Sequence, residues 1–142
     1  MRFVLAFIAL LGLIAASLAL REHYRTDVSP CSINERWDCG IVNHSPFATV
    51  HGVPVATIGM AGYVLLGALA LMRAYRLLLV AAAVGLAYSI YLSHIEASIL
   101  GVWCIYCVAS LGMIALLTLL SFGTIIVLRW RDGGAAQTSK PK

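Results

Sequence analysis

Four cysteines are the residues best able to do chemistry in this 142-residue chain. Cys104-Ile105-Tyr106-Cys107 is a C-x-x-C at the start of an apolar run, and Cys31 and Cys39 stand upstream with seven residues between them. On a helix, positions i and i+3 share a face, so two sulfurs placed there can bond. The helix N-terminus stabilises a thiolate, and the first cysteine benefits most. A sulfur of lowered pKa is a good leaving group and an exchangeable partner. The chemistry is two-electron thiol–disulfide exchange. The second C-x-x-C cysteine sits one turn deeper, toward hydrocarbon. A water-facing pair followed by a lipid-facing pair suits the transfer of electrons from water-borne thiols to a lipid-soluble acceptor.

The elements that must position these sulfurs are membrane helices. The chain is 61% hydrophobic and 11% charged. A soluble domain is nearer a quarter charged, so disorder is excluded and the composition argues against an ordinary soluble domain. No charge occurs from Phe3 to Leu20, Cys39 to Met72, Leu77 to Ile95, or Ala97 to Leu128. Each stretch holds an apolar run able to cross about 30 Å of hydrocarbon. The expected fold is an all-α integral-membrane bundle of four transmembrane helices, near 3–20, 54–72, 77–94 and 104–128. A membrane domain then covers 1–131, with a long outer loop over 21–53 and a disordered cytoplasmic tail over 132–142. The first run also resembles a signal peptide, but it is long for one and reads better as a retained helix.

Lys and Arg orient the bundle. Arg2, Arg73, Arg76, Arg129, Arg131, Lys140 and Lys142 fall on one side, and Arg21, Arg25 and Arg36 on the other. Both termini are therefore expected in the cytoplasm, with all four cysteines on the extracytoplasmic, oxidising side. The net charge of +4 is an orientation signal. No basic cluster with interleaved aromatics points to nucleic acid. Ser29-Pro30 and Ser45-Pro46 each read as an N-cap followed by proline at N1, which predicts two short helices in the loop. Pro46 to Val50 is apolar enough to lie on the membrane surface as a lid, and an ordinary solvated loop fits the pattern equally well.

Three other readings of the cysteines compete. Extracytoplasmic cysteines usually form structural disulfides, which is the better reading for Cys31–Cys39 taken alone. It explains less well a C-x-x-C at a membrane boundary, where a transmembrane helix needs no staple. A zinc site from the four cysteines, or with His44 or His51, would ordinarily show C-x-x-C twice, so no metal is expected. A thiol-dependent metal transporter should carry an ionisable residue or thiol inside the bundle or on the cytoplasmic face, and none is seen.

The ordered set of motifs resembles the vitamin K epoxide reductase family. It comprises Cys31-x7-Cys39, then Ser45, then His51-Gly52-Val53-Pro54 leading into Gly59-Met60-Ala61-Gly62-Tyr63, and finally Trp103-Cys104-Ile105-Tyr106-Cys107. The resemblance spans about Phe3 to Leu128. It implies a four-helix bundle around a quinone, capped by the outer loop. It implies that the loop pair exchanges with a thioredoxin-like protein through Cys31, that Cys39 exchanges with Cys104, and that Cys107 faces the quinone. The chain departs from the vertebrate members at Leu111, where they carry a Tyr, and at Pro54-Val55-Ala56, where they carry an Asn. The departures favour a bacterial-type enzyme of the inner membrane that reduces ubiquinone or menaquinone. Reduction of vitamin K epoxide in the endoplasmic reticulum is the alternative. No thioredoxin domain is fused, so a separate periplasmic partner is implied.

For the quinone pocket, the sequence offers Tyr63, Tyr88, Tyr91, Trp103, Gly59 and Leu111 beside Cys107. Tyr88 and Tyr91 share a helix face. Taken singly, each aromatic fits an interfacial belt as well. His51 or His94 could move a proton near neutral pH. Glu96 could cap a neighbouring helix or be solvated. Gly59 and Gly62 fit close helix packing.

Overall fold

The computed structural model describes residues 1–138, with side chains through Asp132. It is mostly helical. The long helices are α1 (Arg2–His23), α3 (Val55–Leu71), α4 (Tyr75–Ile95) and α5 (Ile105–Thr138), and the short α2 (Cys39–His44) lies in the first connection. α5 continues through the first part of the expected tail, where Ala135, Ala136 and Gln137 are good helix formers. Residues 139–142 lie outside the described residues.

Three helical segments are long and apolar enough to cross a membrane: Arg2–His23, Tyr75–Leu100 and Ile105–Asp132. The fourth, α3, has 17 residues, about 25 Å of helix, so its length alone does not carry a crossing. The exterior is apolar. Phe3, Phe7, Leu10 and Ile14 on α1, and Leu119 and Phe122 on α5, are all exposed. A continuous apolar exterior of this extent is a surface for lipid, and the chain is a membrane protein.

α1 and α3 approach through small residues. A Cβ on Gly59 would meet Ala16 at 3.8 Å, and one on Gly67 would meet Ala9 at 3.7 Å. Between these contacts Gly12 leaves room for the Tyr63 ring, which a Cβ there would overlap. Small residues at such spacing let helix backbones close together where lipid offers no hydrophobic drive. Leu5, Ile8, Leu66, Leu78 and Leu117 fill the core behind them. α1 also packs on α5, and α5 on α4, whereas α3 and α4 share the smallest contact among the long helices that pack together.

The connections differ from expectation in instructive ways. The first short loop helix starts at Cys39, not at Pro30, because Asp38 accepts from the Ile41 N–H and makes the better N-cap. Ser29-Pro30 leads only a turn, closed by the Ser29 hydroxyl accepting from Cys31 N–H. Pro46–Ala48 forms a 3₁₀ turn as predicted from Ser45-Pro46. The loop also holds a small antiparallel β-hairpin, β1 (Thr49–Val50) and β2 (Val53–Pro54), in a chain expected to be all-α. His51 and Gly52 both sit at positive φ, 50° and 82°, the two-residue turn such a hairpin requires. α4 runs on into a π-helical turn, Glu96–Leu100, which Gly101 ends at φ 67°.

Candidate functional site

The site is assembled by backbone pairing. Asn34 Oδ1 accepts from the N–H groups of Arg36 and Trp37 and reverses the loop. The reversed strand then meets the segment before the C-x-x-C. Trp103 N–H donates to Arg36 O at 2.9 Å, and Asp38 N–H donates to Trp103 O at 3.0 Å. The residue preceding Cys39 is thereby tied to the residue preceding Cys104.

The consequence is that Cys31, Cys39 and Cys104 form one buried cluster with Val42 and Val102, and Cys107 packs against it. Cys31 and Cys39 are joined as a disulfide with a Cα–Cα distance of 5.5 Å. Cys104 and Cys107 are free thiols. Cys39 and Cys104 are fully buried and Cys31 is 4% exposed. The loop pair therefore does not face water in this state, contrary to the expected order of exposure, because Trp37 and α2 fold the loop onto the bundle end. The disulfide also uses two of the four sulfurs a zinc site would need.

Two further side chains bind this cluster: Asn43, which sequence reasoning missed, and Glu96, for which it left a helix cap and solvation open. Asn43 is buried, and its amide N–H₂ donates to Cys39 O at 2.8 Å and to Cys104 Sγ at 3.5 Å. Asn43 O in turn is bonded by His23 Nδ1 at 2.6 Å. Glu96 is 3% exposed. It accepts the Cys104 N–H through Oε2 at 3.2 Å, so it caps the neighbouring helix and is not solvated. Nothing local in the sequence marks Asn43, whose partner lies 61 residues away.

Below the cluster lies an apolar cavity of about 560 Å³, set in the wedge between α3 and α4. Cys107 is the cysteine that lines it, together with Gly59, Tyr63 and Tyr88. Tyr63 is held by its hydroxyl, 2.7 Å from Ser110 O and 2.9 Å from Ser110 Oγ. Phe47 and Val50 also line the cavity, so the Pro46–Val50 segment does cover it.

The remaining candidates are elsewhere. Tyr91 is 58% exposed and points away from the cavity that Tyr88 lines, although their ring centroids are 6.3 Å apart. Trp103 serves the loop pairing through its backbone. Leu111 packs into the helix core. His51 is consumed by the hairpin turn, and His94 contacts Ser98 on its own helix at 3.4 Å. Neither histidine lines the cavity, while His23 does.

The cavity is the size of a small-molecule site, with few polar groups among apolar walls. His23, Asn43, Ser45, Glu96 and Ser110 are among the polar residues on its lining, and this composition fits a mostly apolar small molecule with a few polar groups. Among the described residues no group of three or more His, Cys, Asp and Glu stands in a metal-binding arrangement.

A helical membrane protein that gathers a disulfide and two thiols beside an apolar cavity is a membrane redox protein of the oxidoreductase class. More specifically, the chain belongs to the vitamin K epoxide reductase family, whose family model matches residues 3–122. Comparison with curated proteins finds no match.

Proposed function

We propose that the protein is a membrane thiol:quinone oxidoreductase that drives disulfide formation in a thioredoxin-like partner. The observation that carries this reading is the continuity from the Cys31–Cys39 disulfide through buried Cys104 to Cys107 on the cavity wall. The electron balance is closed. A partner dithiol attacks the Cys31–Cys39 bond, leaves as a disulfide, and delivers two electrons to the loop pair. Cys39 then attacks Cys104 in a Cys104–Cys107 disulfide, which re-forms Cys31–Cys39 and leaves Cys104 and Cys107 as thiols. That is the redox state present here. A bound ubiquinone or menaquinone supplies the two-electron acceptor that returns the C-x-x-C to its disulfide. The direction follows from relative potentials, since about 30 mV is a factor of ten for two electrons.

Each group in this chain has a distinct task. The Arg36–Asp38 rungs to Trp103 hold Cys39 beside Cys104, Asn43 polarises the Cys104 sulfur, and the Tyr63–Ser110 pair shapes the cavity floor. A polar depression formed by Ser29, Ser32, Asp38, Gly40 and His44 flanks both loop cysteines and offers the partner its approach. Because both loop sulfurs are covered, docking must lift the loop. The proposed setting is a bacterial inner membrane crossed four times, with both termini cytoplasmic and the cysteines outside.

The test uses purified protein in lipid nanodiscs. Extracted lipids are analysed for quinone, and reduction of added quinone by a small dithiol is followed by absorbance. Wild type is expected to bind and reduce quinone, and Cys107→Ser to remain folded and lose reduction. Absence of quinone binding, or full activity in Cys107→Ser, would overturn the reading.

A further inference from the structure

Oxidation of a dithiol by a quinone moves two protons as well as two electrons. His23 lines the cavity but is bonded through Nδ1 to the Asn43 carbonyl, and neither His51 nor His94 reaches it. Glu96 does. It lines the same wall as Cys107 and bonds the backbone of Cys104. It is 3% exposed. Among the described residues the ion pair present is Glu22 with Arg25, and no cation is paired with Glu96. Burying a carboxyl without a cation costs several kcal/mol, far more than a helix cap returns. A serine or asparagine beside Cys104 would cap α5 without that cost. The carboxyl instead comes from another helix, on a π-helical turn that aims it at the C-x-x-C. Such turns concentrate at functional sites.

We propose that Glu96 carries a proton between the C-x-x-C thiols and the bound quinone. This rests on the thiol:quinone reading above. As the Cys104–Cys107 bond forms, two S–H bonds are lost and two electrons pass to the quinone. One thiol proton goes to the Glu96 carboxylate and from there to a quinone oxygen. The other proton is exchanged with water at the outer face and balances the second oxygen. Glu96 ends in the state in which it began. The carboxyl is a group that touches the reacting pair, and its cap to Cys104 N–H keeps it in register with them through the cycle.

Glu96→Gln separates the two roles, since its amide oxygen can still accept from Cys104 N–H but cannot carry the proton. The full-length protein, free of quinone, is stepped electrochemically between dithiol and disulfide while infrared difference spectra are recorded. A carboxylic C=O band is expected to change with the redox step in wild type. It should vanish in Glu96→Gln and reappear shifted in Glu96→Asp. Quinone reduction by a small dithiol should fall about a hundredfold or more in Glu96→Gln, the range of a lost proton-transfer group, and partly recover in Glu96→Asp. The loop disulfide should match wild type, and the melting temperature of Glu96→Gln should be no lower than that of wild type. A spectrum without any carboxyl change, or a Glu96→Gln protein that turns over like wild type, would overturn the proposal. Failure of wild type itself to reduce quinone would instead defeat the function reading, and the infrared band, recorded without quinone, still decides whether Glu96 exchanges a proton with the thiol pair.

Discussion

Asp38 donates its backbone N–H to the carbonyl of Trp103 at 3.0 Å, so the positions just before Cys39 and Cys104 are bonded across 65 residues of sequence. Two cysteines proposed to exchange are thus aligned by main chain, and side chains are left free for chemistry. The pairing also explains why Trp103 is placed at the site without touching the cavity.

That relationship makes a prediction. Trp103→Pro deletes the N–H that bonds Arg36 O, whereas Trp103→Ala keeps it. In a Cys31→Ser, Cys107→Ser background, the Cys39–Cys104 mixed disulfide should form at near wild-type yield with Ala. With Pro its equilibrium yield should fall about two- to tenfold, the worth of one net hydrogen bond. Non-reducing electrophoresis after redox buffering measures it.

Asn43 bonds both exchanging cysteines, donating to Cys39 O and Cys104 Sγ. Asn43→Ala removes a buried side-chain hydrogen bond to the Cys39 carbonyl, which keeps its helical partner, at a cost of about 0.5–1.5 kcal/mol. It also removes the donor that steadies the Cys104 sulfur. Thermal unfolding should show the loss, and dithiol-driven turnover should drop about tenfold or more.

Gly12 and Tyr63 test the cavity. Gly12→Ala drives a methyl into the Tyr63 ring, an overpacking that costs about 1–3 kcal/mol. Tyr63→Phe loses only the hydroxyl contacts to Ser110, about 1 kcal/mol. Both should raise the quinone KM, with Gly12→Ala also lowering the melting temperature more. Unchanged KM in both would mean Tyr63 does not shape the acceptor site.

The loop has a pH dependence of known sign. The Ser32 hydroxyl, helped by the Ile41 and Gly40 N–H groups against partial burial, holds the Asp38 carboxyl below the usual carboxylate range. A depressed value means its stabilisation is present above the unfolded pKa of about 4 and is lost as pH falls through the folded one. Hydrogen exchange at Cys39 and Ile41 should therefore gain an extra, accelerating opening in acid. Asp38→Asn should abolish that pH dependence.

Much of this was legible in advance, and the omissions have a common cause. The cysteines, the family motifs and the apolar runs are local signals, and they pointed to the family and to the long apolar helices. Tyr63 and Tyr88 line the cavity, but Tyr91 and Leu111 do not. Helices apolar on every side carry little amphipathic signal, so sequence gives the depth of a residue along the helix and not its rotation about the axis. Asn43 was hidden for a different reason, and for Glu96 the sequence left capping and solvation open. Their roles depend on partners brought together by the Trp103 pairing and by a π-helical turn, neither of which has a sequence period to read.

The central claim is the two-pair relay. Its most direct test is quinone reduction by the protein in nanodiscs, driven in parallel by a reduced thioredoxin-like protein and by a small dithiol. Wild type is compared with Cys31→Ser, Cys39→Ser, Cys104→Ser and Cys107→Ser. The relay predicts that all four variants lose turnover with the protein dithiol, while the small dithiol still drives Cys31→Ser and Cys39→Ser. Turnover with the protein dithiol in either loop variant at the wild-type rate would contradict it.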